Sequence, residues 1–370
     1  MSLLELDKVS KIYKTGTFGG ELKPALRDVS FSIEKGEVIS LIGQSGSGKS
    51  TLGKIILHLI PPTAGTVRFE GADIAGIGKA ALRDYYRHVQ GVFQDPFSSY
   101  NPLYKADRVF DMVRSVYFPG LRGADWQAKV EAALESVTLN PADVLNKFPH
   151  QLSGGQQQRL LIARALLLDV RLLVADEIIS MLDASTRVDV LNLLVDLKRR
   201  GLGILFITHD LSLGNYISDR TVILRYGAVV EMGETAKVFG NPQHAYTKSL
   251  LAAVPQLHKK WGELGPGATV IPAGEVSAGS SNGKIARDED VRRYSQSPIN
   301  PLRQERGGGA GPLSSATKTA GGRPSLMDLE DAPWRRRGPK QKKRPGAVLA
   351  AQPAAPLQEC EAGHFVATES

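Results

Sequence analysis

Residues 43–50, with the sequence GQSGSGKS, constrain the fold and chemistry of this chain more than any other segment. They match the spacing Gly, any four residues, Gly-Lys-Ser, in which backbone amides surround phosphate groups. Glycines let the backbone approach a dense anion closely, while Lys49 adds positive charge and Ser50 offers a hydroxyl to Mg²⁺. The apolar run 38–42 before the loop predicts a buried parallel strand, and residues 50–59 predict a helix whose N-terminus faces the phosphates. The segment therefore predicts a nucleotide site on an α/β fold.

Three further segments place polar residues at the ends of apolar runs or at the start of a helix. Asp176 and Glu177 end the run 172–175. The first carboxylate is placed to reach Mg²⁺, usually through water, and the second to polarise an attacking water. Residues 152–159, LSGGQQQR, open a long helix with small residues, which makes a second anion site. His209 ends another apolar strand that begins near residue 206.

Taken in order, these motifs resemble those of the ATP-binding cassette (ABC) ATPases over roughly the first two-thirds of the chain. In that family the LSGGQ segment of one subunit closes over ATP that the P-loop of another subunit holds. The resemblance implies an α/β P-loop NTPase cassette with a parallel-rich core sheet, an antiparallel β subdomain and an inserted helical subdomain at about 100–168. It places the ATPase domain at 1–255, with ATP and Mg²⁺ as cofactors and a second ABC subunit, identical or different, as partner.

The resemblance also assigns roles to single residues. It implies that Glu177 is the catalytic carboxylate, that His209 contacts the γ-phosphate, and that Gln94 touches Mg²⁺ and water. It implies Ser50, Gln94 and Asp176 as metal-binding residues. The implied nucleotide contacts are Tyr13, Gly43, Gln44, Ser45, Gly46, Ser47, Gly48, Lys49, Ser50, Thr51, Ser153, Gly154, Gly155 and Asp183.

Each of these residues, taken alone, also has an ordinary structural interpretation. Tyr13, the implied adenine-stacking residue, is also consistent with a packed aromatic, Gln94 with a surface amide, and His209 with a strand-end histidine. Asp183 is well placed to cap a helix that begins near Ala184. The order and spacing of the whole set, and no single residue, favour the functional assignment.

The segment after the two carboxylates departs from the usual family sequence Asp-Glu-Pro-Thr-Ser-Ala-Leu-Asp. Here Ile178, Ile179 and Met181 replace Pro, Thr and Ala. Loss of the proline removes a fixed φ and returns a backbone N–H. Because both carboxylates remain, we expect a competent site with an altered dimer contact near Ser180.

Two stretches, 94–102 and 240–255, resemble ATPases of the oligopeptide/dipeptide importer group. The resemblance implies the ATP-hydrolysing subunit of an importer for peptides or a related small solute. It also implies integral-membrane permeases and, through them, an extracytoplasmic solute-binding protein as partners. Oligosaccharide cargo remains an alternative. A second alternative is a non-transport ABC ATPase that acts on a soluble complex, although the chain has one cassette and no coiled-coil insertion.

Composition bears on location and partners. The chain has 370 residues, a formal net charge of +8 and a single cysteine, Cys360, so it has no internal disulfide. It lacks a long apolar run and an apolar signal segment, and we expect a peripheral protein on the cytoplasmic face of the inner membrane. Much of the visible basic clustering lies in residues 335–344, away from one folded element. We therefore expect no nucleic-acid partner.

The last third of the chain changes character. From about residue 262 the composition shifts to Gly, Ser, Pro and Arg, which do not build an apolar core. We predict that 256–370 is a Gly/Pro/Arg-rich extension that is largely disordered. The cysteines found in this region of importer relatives are missing, whereas 356–359 and 363–366 resemble the closing strand of the family.

Overall fold

The computed structural model describes residues 2–15, 21–253 and 354–368. They belong to one compact unit spanning 1–269 and 349–370, and a second unit, 270–348, lies outside the described residues. The strands are β1 (Leu4–Thr15), β2 (Glu21–Ile33), β3 (Val38–Ile42), β4 (Ala64–Phe69), β5 (Ala72–Asp73), β6 (Val89–Val92), β7 (Leu172–Asp176), β8 (Gly203–Thr208), β9 (Arg220–Arg225), β10 (Ala228–Glu234), β11 (Leu357–Glu361) and β12 (His364–Ala367). The helices are α1 (Lys49–Ile56), α2 (Lys79–His88), α3 (Arg108–Tyr117), α4 (Gly123–Ser136), α5 (Pro141–Val144), α6 (Gly154–Leu166), α7 (Ala184–Arg199), α8 (Leu211–Ile217), α9 (Thr235–Gly240) and α10 (Ala245–Ala252).

The larger sheet has the strand order β11-β12-β10-β9-β3-β8-β7-β6. Strands β6, β7, β8, β3 and β9 pair in parallel, and β10 and β12 continue the sheet antiparallel. Successive residues of β8 join different apolar clusters, Ile204 and Phe206 on one face and Leu205 and Ile207 on the other. Both faces are thus covered, as a parallel sheet requires. The carboxyl ends of β3, β7 and β8 meet at one edge, where open α/β sheets bind ligands.

A second, four-stranded antiparallel sheet has the order β2-β1-β4-β5. Its buried residues, such as Leu6 and Phe31, share an apolar cluster with Leu52 and Ile55 of α1. This sheet therefore packs on the face of the core sheet that carries the helix after residues 43–50. The predicted antiparallel β subdomain and the parallel-rich core sheet are confirmed.

The segment between β6 and β7 is helical. Phe110 of α3, Trp126 and Leu134 of α4 and Leu160 of α6 belong to one buried cluster, which also includes Leu173 of β7. Within the predicted helical subdomain, the stretch 104–137 forms two helices, α3 and α4, with Pro119 between them. The limits 100–168 for the subdomain and 255 for the end of the ATPase domain stay predictions.

The chain returns to the core sheet at its end. Strands β11 and β12 form a hairpin, and β12 pairs with β10 through Glu231 opposite Val366 and Met232 opposite Phe365. The expected closing strand is therefore present at the sheet edge. The rest of the predicted extension, 256–353 and 369–370, with its basic residues at 335–344, lies outside the described residues. No helix in the described ranges is both long and apolar enough to cross a bilayer.

Candidate functional site

A cleft of about 780 Å³ opens at the carboxyl edge of the core sheet. It collects segments that are far apart in sequence: the loop 43–51, the ends of β6, β7 and β8, and α10. The residues that line it are Ala25, Ile42, Gly43, Gln44, Ser45, Gly46, Gly48, Lys49, Ser50, Thr51, Gln94, Glu177, His209 and Leu250.

The loop between β3 and α1 has the backbone of an anion site. Gly48 precedes the first turn of α1 with φ 107°, a value that side chains rarely adopt. A Cβ at Gly48 would also lie 2.5 Å from the Ala25 carbonyl oxygen. Glycine is therefore required here, and the free amides of the α1 N-terminus face the cleft, where they favour an anion.

Lys49, the first residue of α1, is buried against this loop. Its ammonium donates hydrogen bonds to the carbonyl oxygens of Gly43 at 2.7 Å and Gln44 at 3.0 Å. Burial lowers the pKa of Lys49, and the negative charges of Glu177 and Asp176 partly offset this effect. The structure thus holds a positive charge between the loop and two carboxylates.

Asp176 ends β7 beside the start of α1. Burial raises the pKa of Asp176, and a hydrogen bond from Ser50 partly offsets the rise. Its Oδ1 atom is buried, and no described residue donates a hydrogen bond to it. A hydroxyl next to a carboxylate oxygen without a donor fits a hard divalent cation such as Mg²⁺, which prefers oxygen ligands.

Glu177 turns the chain out of the sheet with φ 51°, an uncommon conformation for a residue with a side chain. Its N–H donates to the Ile207 carbonyl at 2.9 Å, and its own carbonyl accepts from the Ser180 amide at 3.1 Å. These bonds aim the carboxylate into the cleft, where Oε1 lies 3.3 Å from Nδ1 of His209. Together with Gln94, the three predicted catalytic residues line one cleft.

Other predicted site residues lie outside the lining of that cleft. Tyr13 sits on β1 with 37% of its surface exposed, and the Lys11 ammonium lies 5.4 Å from its ring centroid. Ser47 belongs to the loop itself, but its side chain is buried. The structure does not bring Tyr13 or Ser47 into the lining together with Lys49 and Glu177.

The predicted signature residues stand at the start of α6. The Ser153 hydroxyl accepts from the Gln156 amide at 3.1 Å, and the Gln156 side chain accepts from the Ser153 amide at 2.9 Å, a capping box. Gly154 follows as the first residue of α6, and a Cβ on Gly155 would collide with Thr186 of α7. These residues are likewise outside the lining of their own chain's cleft.

Asp183 caps the neighbouring helix α7, as expected. Its carboxylate accepts hydrogen bonds from the Thr186 amide at 2.9 Å and from the Ser185 hydroxyl at 2.6 Å. These bonds hold the pKa of the exposed Asp183 carboxyl well below its usual range. The starts of α6 and α7 thus form one surface of capped helix ends.

The three residues that depart from the family pattern are of two kinds. Ile178 and Ile179 are buried and join the apolar cluster that covers one face of the core sheet. Met181 is 58% exposed beside Ser180. The isoleucines therefore extend the core, and the altered dimer contact near Ser180 stays a prediction.

Sequence reasoning did not single out three residues at the cleft. Ala25 and Leu250 line it, and the Tyr246 hydroxyl accepts a hydrogen bond from the Gln44 amide at 3.1 Å. The sequence of the segment 240–255 indicated only a resemblance to the importer group. Its contact with the loop 43–51 depends on tertiary structure that spacing does not reveal.

Comparison with known proteins agrees with this geometry. The family model described as ABC transporter matches residues 26–180, and the one described as Oligopeptide/dipeptide transporter, C-terminal region, matches residues 230–276. The oligopeptide transport ATP-binding protein OppF of Streptococcus mutans is 42% identical over 255 residues, 69% of this chain and 82% of OppF. A Brucella ovis protein named for peptide import is 42% identical over 254 residues, 68% of this chain and 78% of the relative.

A solved structure shows the same architecture. The dimeric ATP-binding cassette MJ0796, in a post-hydrolysis state bound to ADP and Pi, matches with a TM-score of 0.56 and 31% identity, covering 63% of this chain and 98% of that chain. The fold and the cleft define a nucleotide-binding ABC-type ATPase. The chain belongs to the ATP-binding proteins of ABC transporters, in the oligopeptide/dipeptide group, which confirms the predicted fold class and family.

Proposed function

We propose that this chain is the ATP-hydrolysing subunit of an ABC importer that powers uptake of peptides or a related small solute. The observation that carries the proposal is the Glu177–His209 contact of 3.3 Å in the same cleft as the loop that holds Lys49. A carboxylate paired with a histidine beside a phosphate-binding loop can direct water at a terminal phosphate. The names of OppF and of the Brucella ovis relative support peptide as the cargo.

Hydrolysis proceeds mainly by positioning and charge stabilisation. The amides of residues 43–51 and the Lys49 ammonium hold the β- and γ-phosphates, and Tyr13 stacks on adenine. Glu177 orients and polarises the attacking water, while His209 and Gln94 hold the transferring group. Water adds to the γ-phosphorus as the bond to the ADP oxygen breaks, so the products are ADP and phosphate.

Ser50, Gln94 and Asp176 are the residues that hold Mg²⁺ in this proposal. The ion, when bound, offsets negative charge on the phosphates. The unpartnered Oδ1 of Asp176 and the hydrogen bond from Ser50 support this assignment. The two residues come from β7 and α1, so the cation site depends on the packing of this helix against the sheet.

A second ABC subunit, identical or different, completes the pocket. Its Ser153, Gly154 and Gly155 bind the γ-phosphate, and its Asp183 lies at the interface. These residues are outside the lining of their own cleft, which supports a site shared between two chains. Closure of the pair over ATP then drives permease subunits, and through them a solute-binding protein delivers cargo. The chain acts at the cytoplasmic face of the inner membrane as a peripheral subunit, without nucleic acid.

Two variants separate binding from chemistry. Lys49→Ala should weaken ATP binding by about tenfold or more, since it removes the charge in the loop. Glu177→Gln should keep ATP binding but lower turnover by about a hundredfold or more, since the water loses its general base. Binding is measured with a fluorescent ATP analogue, and turnover by phosphate release from the chain reconstituted with its permeases.

Two exposed residues provide matched controls. Lys79→Ala on α2 and Glu135→Gln on α4 repeat the same chemical changes at residues outside the cleft lining and should alter neither quantity. Full turnover in Glu177→Gln would show that another group activates the water. Peptide uptake into vesicles that contain the reconstituted complex tests the cargo, and uptake that does not depend on ATP would rule out the importer role.

A further inference from the structure

One buried carboxylate joins three parts of the chain at the edge of the core sheet. Glu231 of β10 and His364 of β12 are both fully buried, and His364 Nε2 lies 2.7 Å from Glu231 Oε1. The same carboxylate accepts the amides of Gln243 at 2.8 Å and His244 at 3.1 Å. Because a buried carboxylate is stable only with such donors, the C-terminal hairpin and the turn before α10 share one anchor.

The helix that follows this turn reaches the phosphate-binding loop. His244 Nδ1 accepts the Tyr246 amide at 3.0 Å and so caps α10. Tyr246 is 6% exposed, its hydroxyl accepts the Gln44 amide at 3.1 Å, and the Arg225 guanidinium lies 4.8 Å from its ring centroid. The Gly43 carbonyl, which shares a peptide unit with the Gln44 amide, accepts a hydrogen bond from the Lys49 ammonium at 2.7 Å. One hydroxyl thus fixes a peptide unit that holds the charged group of the loop.

Apolar packing follows the same route. Ile42, which leads into the loop, belongs to one buried cluster with Tyr246 and with Ala367 of the hairpin. Leu250, one turn along α10, packs on this cluster and also lines the cleft. The hairpin, α10 and the strand end that leads into the loop therefore pack in one apolar cluster, although the hairpin lies more than a hundred residues beyond α10 in the sequence.

We propose that Tyr246 is a positioning residue for the phosphate-binding loop, and that the C-terminal hairpin holds Tyr246 in place through the Glu231–His364 pair. The proposal rests on the proposed function, since it assigns to the loop a nucleotide whose binding the hairpin supports. A loop that is already ordered loses less conformational freedom when it binds ATP, and binding is tighter by that amount. Segments at the end of the chain thereby set the nucleotide affinity of the cassette.

The first test removes one hydroxyl from the full-length chain. Tyr246→Phe keeps the ring and its packing but leaves the Gln44 amide without its acceptor. We expect hydrogen exchange at the Gln44 amide to accelerate and ATP affinity to fall, each by about three- to tenfold, the effect of one net hydrogen bond. Tyr216→Phe is the matched control, because it also removes one tyrosine hydrogen bond, to Asn192 Oδ1 at 3.0 Å, away from the cleft.

The second test acts on the anchor. His364→Ala removes the side-chain donor to Glu231 and should change Gln44 exchange and ATP affinity in the same direction. His364→Gln restores an amide donor and should recover much of both. Since the two sites act in series, Tyr246→Phe combined with His364→Ala should be no worse than the stronger single variant. If His364→Ala does not fold, Glu231→Gln, which weakens the same anchor and keeps its shape, gives the same measurement.

The outcomes are separable. Wild-type exchange at Gln44 together with wild-type ATP affinity in Tyr246→Phe overturns the proposal. An effect of Tyr246→Phe without one from His364→Ala or Glu231→Gln overturns the role of the hairpin. Failure of the wild-type chain to bind ATP refutes the proposed function, whereas Gln44 exchange, measured without nucleotide, still decides whether Tyr246 and the hairpin order the loop.

Discussion

At the scale of single residues, Asp176, which we propose as a Mg²⁺ ligand, weakens the fold that carries it. Burial raises the pKa of this carboxyl, and its Oδ1 has no hydrogen-bond donor among the described residues. A carboxyl with a raised pKa contributes stability at low pH, and that contribution is lost as the pH rises through its folded pKa. Asparagine is neutral at every pH, so Asp176→Asn avoids this loss of folding free energy. It should raise the melting temperature of the nucleotide-free chain at neutral pH by about 2 °C or more.

The melting temperatures of both proteins, measured across pH, check this prediction. The difference should shrink as the pH falls, because wild-type Asp176 then becomes protonated as well. The same variant should lose Mg²⁺-dependent ATP affinity. Asp143→Asn on the exposed surface of α5 is the control and should show neither effect. A variant that is less stable than the wild type at neutral pH would contradict the assigned cost of burying Asp176.

Residues whose roles depend on local backbone were predictable from sequence, and residues whose roles depend on distant partners were not. Gly48 needs its positive φ because of the turn in which it lies, so the motif spacing locates it. Glu177 and His209 follow apolar strands and meet because parallel strands end at one edge. Tyr246 contacts Gln44 across 202 residues, and no local pattern marks that pair.

At the scale of elements, the start of α6 combines a structural and a functional role in Ser153. Its hydroxyl caps the helix. In the proposed pocket the same residue faces the γ-phosphate of the ATP that the partner subunit holds. Ser153→Asp separates the two roles, because aspartate caps helices as well as serine and suits the positive N-terminus. We expect stability within about 0.5 kcal/mol of wild type, yet turnover at least about a hundredfold lower, because the new charge repels the phosphate.

Unfolding in urea and phosphate release from the assembled complex measure the two effects of Ser153→Asp. Asn140→Asp, which places an acid at the cap of α5, is the control and should leave turnover intact. Normal turnover in Ser153→Asp would mean that this helix start does not face ATP. A large loss of stability would instead mean that the capping box with Gln156 needs the hydroxyl itself.

Element types were more predictable than their limits. The apolar run 38–42 coincides with β3, since a strand buried on both faces is apolar at nearly every position, and only Ser40 is polar here. The helix predicted at 50–59 ends at Ile56, ahead of His58, whose φ is 52°, and of the two prolines that follow. Turn residues near a helix end decide its last residue, and apolar periodicity alone does not include them.

At the scale of the whole molecule, the proposed function divides the nucleotide pocket into two half-sites that lie on different parts of one chain. The cleft with Lys49 and Glu177 does not include the start of α6, although both lie in the same compact unit. The separation of the α6 start from the cleft was predicted through the family resemblance, which the order of motifs indicated. The pairing of the C-terminal hairpin with β10 could not be predicted from the sequence. The two strands are short and lie far from the cassette along the chain, so their local pattern does not indicate which strand they pair with.

Mixing two inactive variants tests whether the half-sites combine between chains. Lys49→Ala disables one half of the pocket and Ser153→Asp the other, so each variant alone should be inactive. A mixed pair has one pocket with both defects and one with neither. Random pairing makes about half of all dimers mixed, and one pocket of two is intact in each, so activity should return to about a quarter of wild type.

Mixing Lys49→Ala with Glu177→Gln is the control. Both changes lie in the same half-site, so every pocket of a mixed dimer carries one of them and the mixture should stay inactive. Analytical ultracentrifugation checks that Lys49→Ala and Ser153→Asp form mixed dimers. If they do and the mixture is still inactive, Ser153 acts on the nucleotide bound by its own chain.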